Sequence, residues 1–173
     1  MIVLKRTDKD DYKLVKKIIE NSISKTWKLA VMEWDIIDQY DSGSDDKKCA
    51  CGKENIRYIF IIKNRNTSTK LQIGSSCIKK FGRKDMDSNV SSMIEWFKLK
   101  DAISDKKFIS IEIFSRKLIN YLFEKKYFDS EGDYIFFLKM FNKKKKSSIT
   151  KKQFNKINGI IFYQIINKIK IKK

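Results

Sequence analysis

The sequence predicts an α+β protein, mainly helical, with a small β-hairpin module in its N-terminal half. Three observations predict it. Apolar residues recur at helical spacing through much of the chain. One run, IRYIFIIKN at 56–64, is instead dense in β-branched and aromatic residues, and a polar turn separates it from the short run ending LQIG at 70–74. Two cysteines, Cys49 and Cys51, precede this pair and a third, Cys77, follows it.

Taken in order, Tyr12, Val15, Ile18 and Ile19 mark a first helix, and Trp27, Ala30, Val31 and Trp34 repeat the helical spacing. Around Trp34 to Tyr40 the pattern switches toward a strand, with Trp34 and Ile36 alternating with acids before the DSGSDD loop. Cys49-Ala50-Cys51-Gly52 reads as a tight turn, and the hairpin follows it. Ser75 or Ser76 then caps a short helix carrying Cys77, Ile78 and Phe81 and ending near Gly82. Met93, Trp96 and Phe97 mark the next helix; Phe114, Leu118, Tyr121 and Leu122 another; Tyr134, Phe137, Leu138 and Phe141 a third. The last begins at Thr150, with Gln153 as a capping-box partner, and runs through Phe154, Ile157, Ile161 and Ile165. Gly159 is expected to bend it or to admit a close neighbour.

Length and composition bound the rest. A chain of 173 residues with 42% hydrophobic and 13% aromatic residues builds a real core. Residues 1–84 form the N-terminal helices and hairpin module, residues 85–173 a helical, strongly basic region, and the two are expected to make one compact unit. No apolar run approaches a membrane span, and MIVLKRTDKDDYK carries no signal-peptide core. An intracellular protein is expected, and three cysteines suit a reducing compartment better than a disulfide framework.

The net charge of +18 is unevenly placed. Residues 33–46 hold Glu33, Asp35, Asp38, Asp41, Asp45 and Asp46 and no Lys or Arg, whereas residues 139–173 hold twelve lysines and no acid, which leaves +6 for the first 138 residues. Only five of the 39 basic residues are arginine and none of the 173 is histidine or proline. Part of that bias is what an AT-rich genome imposes. Drift alone would still leave some acid in the last thirty-five residues, so a polyanionic partner is expected. Lys143, Lys144, Lys145, Lys146, Lys151, Lys152 and Lys156 form one candidate nucleic-acid surface, and Lys63, Arg65, Lys70, Lys79 and Lys80 a second on the hairpin and its helix. The scarcity of arginine argues against base-specific reading. The aromatics at helical spacing read as core, and Tyr58 and Phe60 as packing before base stacking. Asp41, Asp45 and Asp46 lack the spacing of a calcium loop and read as a solvated acidic turn.

The cysteines carry the chemistry. Zinc takes four tetrahedral ligands and favours thiolate in structural sites. Two cysteines on one turn do not close such a site, but the hairpin returns the chain so that Cys77 stands at a helix start, where partial positive charge favours thiolate. Asp45, Asp46 or a water are the candidates for the fourth ligand. The competing reading is three free thiols in a finger that has lost its metal. No general base, Walker loop, dinucleotide fingerprint or nucleophile elbow accompanies the cysteines, so the chain is not expected to be an enzyme or to take a small-molecule substrate.

Cys49, Cys51, Gly52, Asn64, Thr67, Gly74, Ser75, Cys77, Ile78 and Phe81 together make a CxCG…GSxCIxxF pattern within residues 33–81. That stretch resembles a treble-clef-like zinc-finger module of small accessory proteins from phages, mobile elements and large DNA viruses. Lys53 stands where such relatives often carry histidine. The resemblance implies a viral or mobile-element accessory protein and no defined activity. Three roles are compatible with it: a zinc-binding, nucleic-acid-binding accessory protein; an anti-defence inhibitor, such as an anti-CRISPR protein, acting on a host nuclease complex; and a structural subunit of a viral nucleoprotein or polymerase assembly.

Overall fold

A computed structural model describes residues 9–44 and 46–171. It has a three-stranded antiparallel sheet in the N-terminal half and helices through the rest, a mixed α+β fold. The described residues fall into two compact units that divide between Val90 and Ser91, inside a helix.

In the first unit, α1 (Lys9–Glu20) buries Leu14 and Ile18, while Tyr12, expected on the apolar face, is exposed. A single turn of helix, α2 (Trp27–Ala30), and a 3₁₀ turn (Val31–Glu33) lead directly into β1 (Trp34–Asp41). The helical spacing from Trp27 to Trp34 therefore covers a turn and a strand start, not one helix. Trp34, fully buried, opens the strand. β1 pairs with β2 (Tyr58–Asn64), and β2 with β3 (Lys70–Gly74), in the order β1-β2-β3. The expected hairpin is thus two strands of a three-stranded sheet, and its first strand begins at Tyr58 because Ile56 pairs instead with Lys47 as an isolated bridge. A bulge shifts the register between Ile36 and Asp38 and leaves Ile37 exposed. Ile59, Phe60, Ile62 and Ile73 are buried from the sheet, so Phe60 is core and no stacking platform.

A buried polar knot fixes the ends of these elements. The Asn64 amide donates to Glu33 Oε2 (3.0 Å), Ser22 Oγ (3.3 Å) and the Asn21 carbonyl (3.2 Å), while its oxygen accepts the Asn66 (2.8 Å) and Thr67 (3.0 Å) amides. Glu33 also accepts the amides of Ile23 and Ser24 at 3.0 and 2.8 Å. The Trp34 indole N–H donates to Ser22 Oγ at 2.9 Å. Buried polar atoms are costly unless each finds partners, and here they find them in one another.

Arg83 makes a second clamp. It donates to the carbonyls of Val31 and Trp34 and pairs with Asp35 and Asp85.

α4 (Lys84–Ser104) carries the chain into the second unit. There α5 (Arg116–Glu124) and α6 (Glu131–Phe141) are capped by Ser115 and Ser130, whose side chains accept the third amides of their helices. Phe137 is fully buried among Phe114 and Phe128, with ring centroids at 5.2 and 5.6 Å, and Trp96 packs on Tyr127 at 4.9 Å. α7 (Lys151–Gly159) starts in the expected capping box of Thr150 and Gln153. Thr150→Ala should cost about 1 kcal/mol, read as a lower denaturation midpoint with unchanged slope; a shift as large as a core mutation would show that the box does more than cap.

Gly159 keeps helical dihedrals (φ −56°, ψ −47°), and nothing lies within 4 Å of where its Cβ would stand, so no close neighbour is admitted there. The helix widens into a π-helical stretch (Ile160–Ile166) and tightens again as α8 (Asn167–Ile171). Among the described residues no helix is long and apolar enough to cross a membrane.

Candidate metal centre

The chemistry concentrates where the chain enters and leaves the sheet. Cys49 and Cys51 sit on the turn before β2, and Cys77 sits on α3 (Ser75–Lys79), which follows β3 without a linker. The turn is closed by backbone bonds from Gly52 N–H to the Cys49 carbonyl and from Cys49 N–H to the Lys53 carbonyl, both 2.8 Å. Gly52 has φ +95°, a left-handed conformation that side chains disfavour. The turn is docked on β3 by Ala50 N–H to the Gln72 carbonyl (2.9 Å), and the Gln72 side chain donates to the Lys48 carbonyl (3.0 Å). Gly74 is the N-cap of α3, without a side-chain cap bond, so the serines expected to cap it lie instead in its first turn. This places Cys77 third in the helix, facing the turn.

The three sulfurs lie within 4.8 Å of one another, and all three cysteines are buried. Cys49 Sγ and Cys77 Sγ are 3.4 Å apart, far beyond the roughly 2 Å of a disulfide. Tetrahedral zinc with bonds of about 2.3 Å needs sulfurs about 3.8 Å apart, so the observed spacing brackets that requirement. The sulfurs also have amide donors: Gly74 N–H to Cys49 and Lys53 N–H to Cys51, both 3.4 Å. Such outer bonds orient ligands and favour the thiolate. The adjacent Cys77 sulfur draws the Cys49 thiol down to about 5, against burial. Cys77 is pushed up in turn, first by its bond with Cys49 and then by burial, and burial likewise raises Cys51. Three sulfurs this close do not all ionise without a cation among them.

Comparison with protein-family models, with curated proteins and with solved structures finds no match. The possible metal site therefore rests on its own geometry.

Among the described residues no carboxylate joins the sulfurs. Asp46 is exposed beside Lys47 at 3.3 Å, its carboxyl held low by the Ser44 side chain and then by Lys47; Asp45 lies outside the described residues. Asp41 corrects the reading of a solvated acidic turn. It forms a bidentate pair with Arg57, both bonds 2.7 Å, because Arg57 directly precedes the strand residue that faces it.

The basic residues divide in the same way. On the sheet, Lys63 and Lys70 are cross-strand partners, with Asp35 opposite Lys63 on the other side. Arg65 is turned back to Asp35 (3.1 Å) and the Met32 carbonyl, and Lys80 pairs with Asp11. Lys79 is exposed on α3. In the second unit Lys143 donates to the Ser148 carbonyl and Gln153, and Lys146 to the carbonyls of Met140 and Phe141. Lys156 pairs with Asp133 (3.0 Å) over the Phe136 ring. These three lysines hold a helix end and a helix pair together. Lys144, Lys145, Lys151 and Lys152 are exposed. Sequence reasoning missed the Glu33–Asn64 knot, joined across 31 residues, and Arg83, which reaches Val31, Trp34 and Asp35 across 48 to 52; the position of Asn64 within the CxCG…GSxCIxxF pattern was the one signal present.

Proposed function

We propose that the protein is a non-enzymatic accessory protein of viral or mobile-element type, whose fold is held by zinc on Cys49, Cys51 and Cys77 and whose second unit binds nucleic acid. The metal reading is carried by the three buried sulfurs gathered within 4.8 Å. The nucleic-acid reading is carried by the charge of residues 139–173, twelve lysines without one acid. Lys144, Lys145, Lys151 and Lys152 are its phosphate-facing members, because Lys143, Lys146 and Lys156 already serve the fold. The exposed rings of Phe154, Phe162 and Tyr163 stand in the same helical run. Exposed aromatics among lysines favour single strands, whose bases stack on such rings.

Counterion release makes the expected result quantitative. Binding to an oligonucleotide should weaken linearly in log salt, and replacing those four lysines with alanine should reduce the slope by about 3. A slope that the four substitutions leave unchanged would remove them from the interface, and no binding at low salt would end the nucleic-acid reading.

A second reading, an anti-defence inhibitor docking on a host nucleoprotein complex, draws on Ile23, Leu29 and Met32, large apolar side chains exposed on the first unit. Retention of a host nuclease at high salt, with weak binding to naked nucleic acid, would favour it.

A further inference from the structure

We propose that the fourth coordination position of the metal is filled from outside the chain, by a thiolate that enters through a depression beside Cys49 and Cys77. The inference rests on the metal reading above and concerns what completes it. The chain supplies three cysteines and no histidine, so it has no fourth thiolate or imidazole of its own. Beside the sulfurs lies an open depression of about 300 Å³, lined by Cys49 and Cys77 and by Lys53, Arg57, Tyr58 and Ser76. Two of the three cysteines thus form part of the wall of that depression, and each is 4–5% exposed.

The charge of that wall selects the donor. A divalent cation on three thiolates carries one net negative charge, and a fourth thiolate makes it two. Lys53 on the wall, and Lys13 against the knuckle with Nζ 3.3 Å from where a Gly52 Cβ would stand, offset this, while Arg57 is already engaged by Asp41. Those cations favour an anionic donor over a neutral one and repel a cationic one. With metal bound, the incoming thiol would give up its proton to solvent and displace a water from the fourth position as its sulfur bonds the metal, and no electron would change hands.

Cobalt reports ligand number and type in its visible spectrum. The full-length protein, reduced with a phosphine and loaded with Co²⁺ without oxygen, should show a saturable shift of the ligand-field bands to longer wavelength when 2-mercaptoethanol is added. A short cysteine-containing peptide should do the same, and the tighter of the two identifies a free thiol or a protein cysteine as the natural source. Ser76→Trp, which fills the depression from an exposed position, should leave cobalt uptake intact and abolish the shift. A spectrum indifferent to thiol, and altered instead by Asp45→Asn or Asp46→Asn, would overturn the inference by placing the ligand within the chain. A thiol shift that survives Ser76→Trp would overturn the route. Failure to bind cobalt at all would overturn the metal reading itself, a result distinct from the other two.

Discussion

If the three sulfurs hold zinc as proposed, Cys77→Ser should take up none and its thermal midpoint should fall by roughly 8–16 °C in a chain of this size. The size follows from linkage. A ligand whose Kd lies about a thousandfold below its free concentration stabilises the folded state by about 4 kcal/mol. Cys77 is the member that joins helix to knuckle. Cys49 and Cys51 share one turn, closed by its own backbone bonds, whereas Cys77 comes from beyond two strands. Replacing it by serine leaves a turn with two sulfurs, which does not close a tetrahedral site. A chelator should move the wild-type midpoint by the same amount and leave the variant unmoved. If both proteins melt alike and neither responds to chelator, the sulfurs are three buried thiols and the fold stands without metal.

The second large effect is expected at Asn64. Its side chain is fully buried and makes five bonds that join the end of α1, the start of β1 and the β2–β3 turn. Asn64→Ala strands the Glu33 carboxylate and two turn amides, and should cost about 3 kcal/mol. Acid should act on the same knot. Asn64 and the amides of Ser24 and Ile23 hold the Glu33 carboxyl down at about 2, against an ordinary 4.5. A carboxyl with its folded pKa depressed contributes its full stability above the unfolded value and loses it as pH falls through the folded one. The contribution is therefore complete above pH 4.5 and fades toward pH 2. Denaturant midpoints measured across that window should fall in the wild type and fall less in Asn64→Ala. Parallel curves would show that Glu33 is not the titrating group.

What was legible in the sequence was local. The capping box at Thr150 and Gln153, the β2–β3 hairpin and the gathering of Cys49, Cys51 and Cys77 around it all depend on spacings a single chain displays. β1 was legible as an alternating stretch, but not its pairing with β2, since a strand's partner lies in no local pattern. The acidic stretch 33–46 misled for the same reason. Asp41 looks solvated until Arg57 arrives from 16 residues away, and nothing local pairs Glu33 with Asn64, 31 residues on. Lys143, Lys146 and Lys156 were read by charge alone, and the carbonyls and the carboxylate that engage them only come near once α6 and α7 fold. The widening of the last helix after Gly159 has no sequence signal that we can name.

Metal analysis of the purified, full-length protein tests the central claim most directly. One zinc per chain, retained through dialysis and absent from Cys77→Ser, is the predicted result. A folded protein that carries no metal, and takes up none after refolding with excess zinc under reducing conditions, would contradict it.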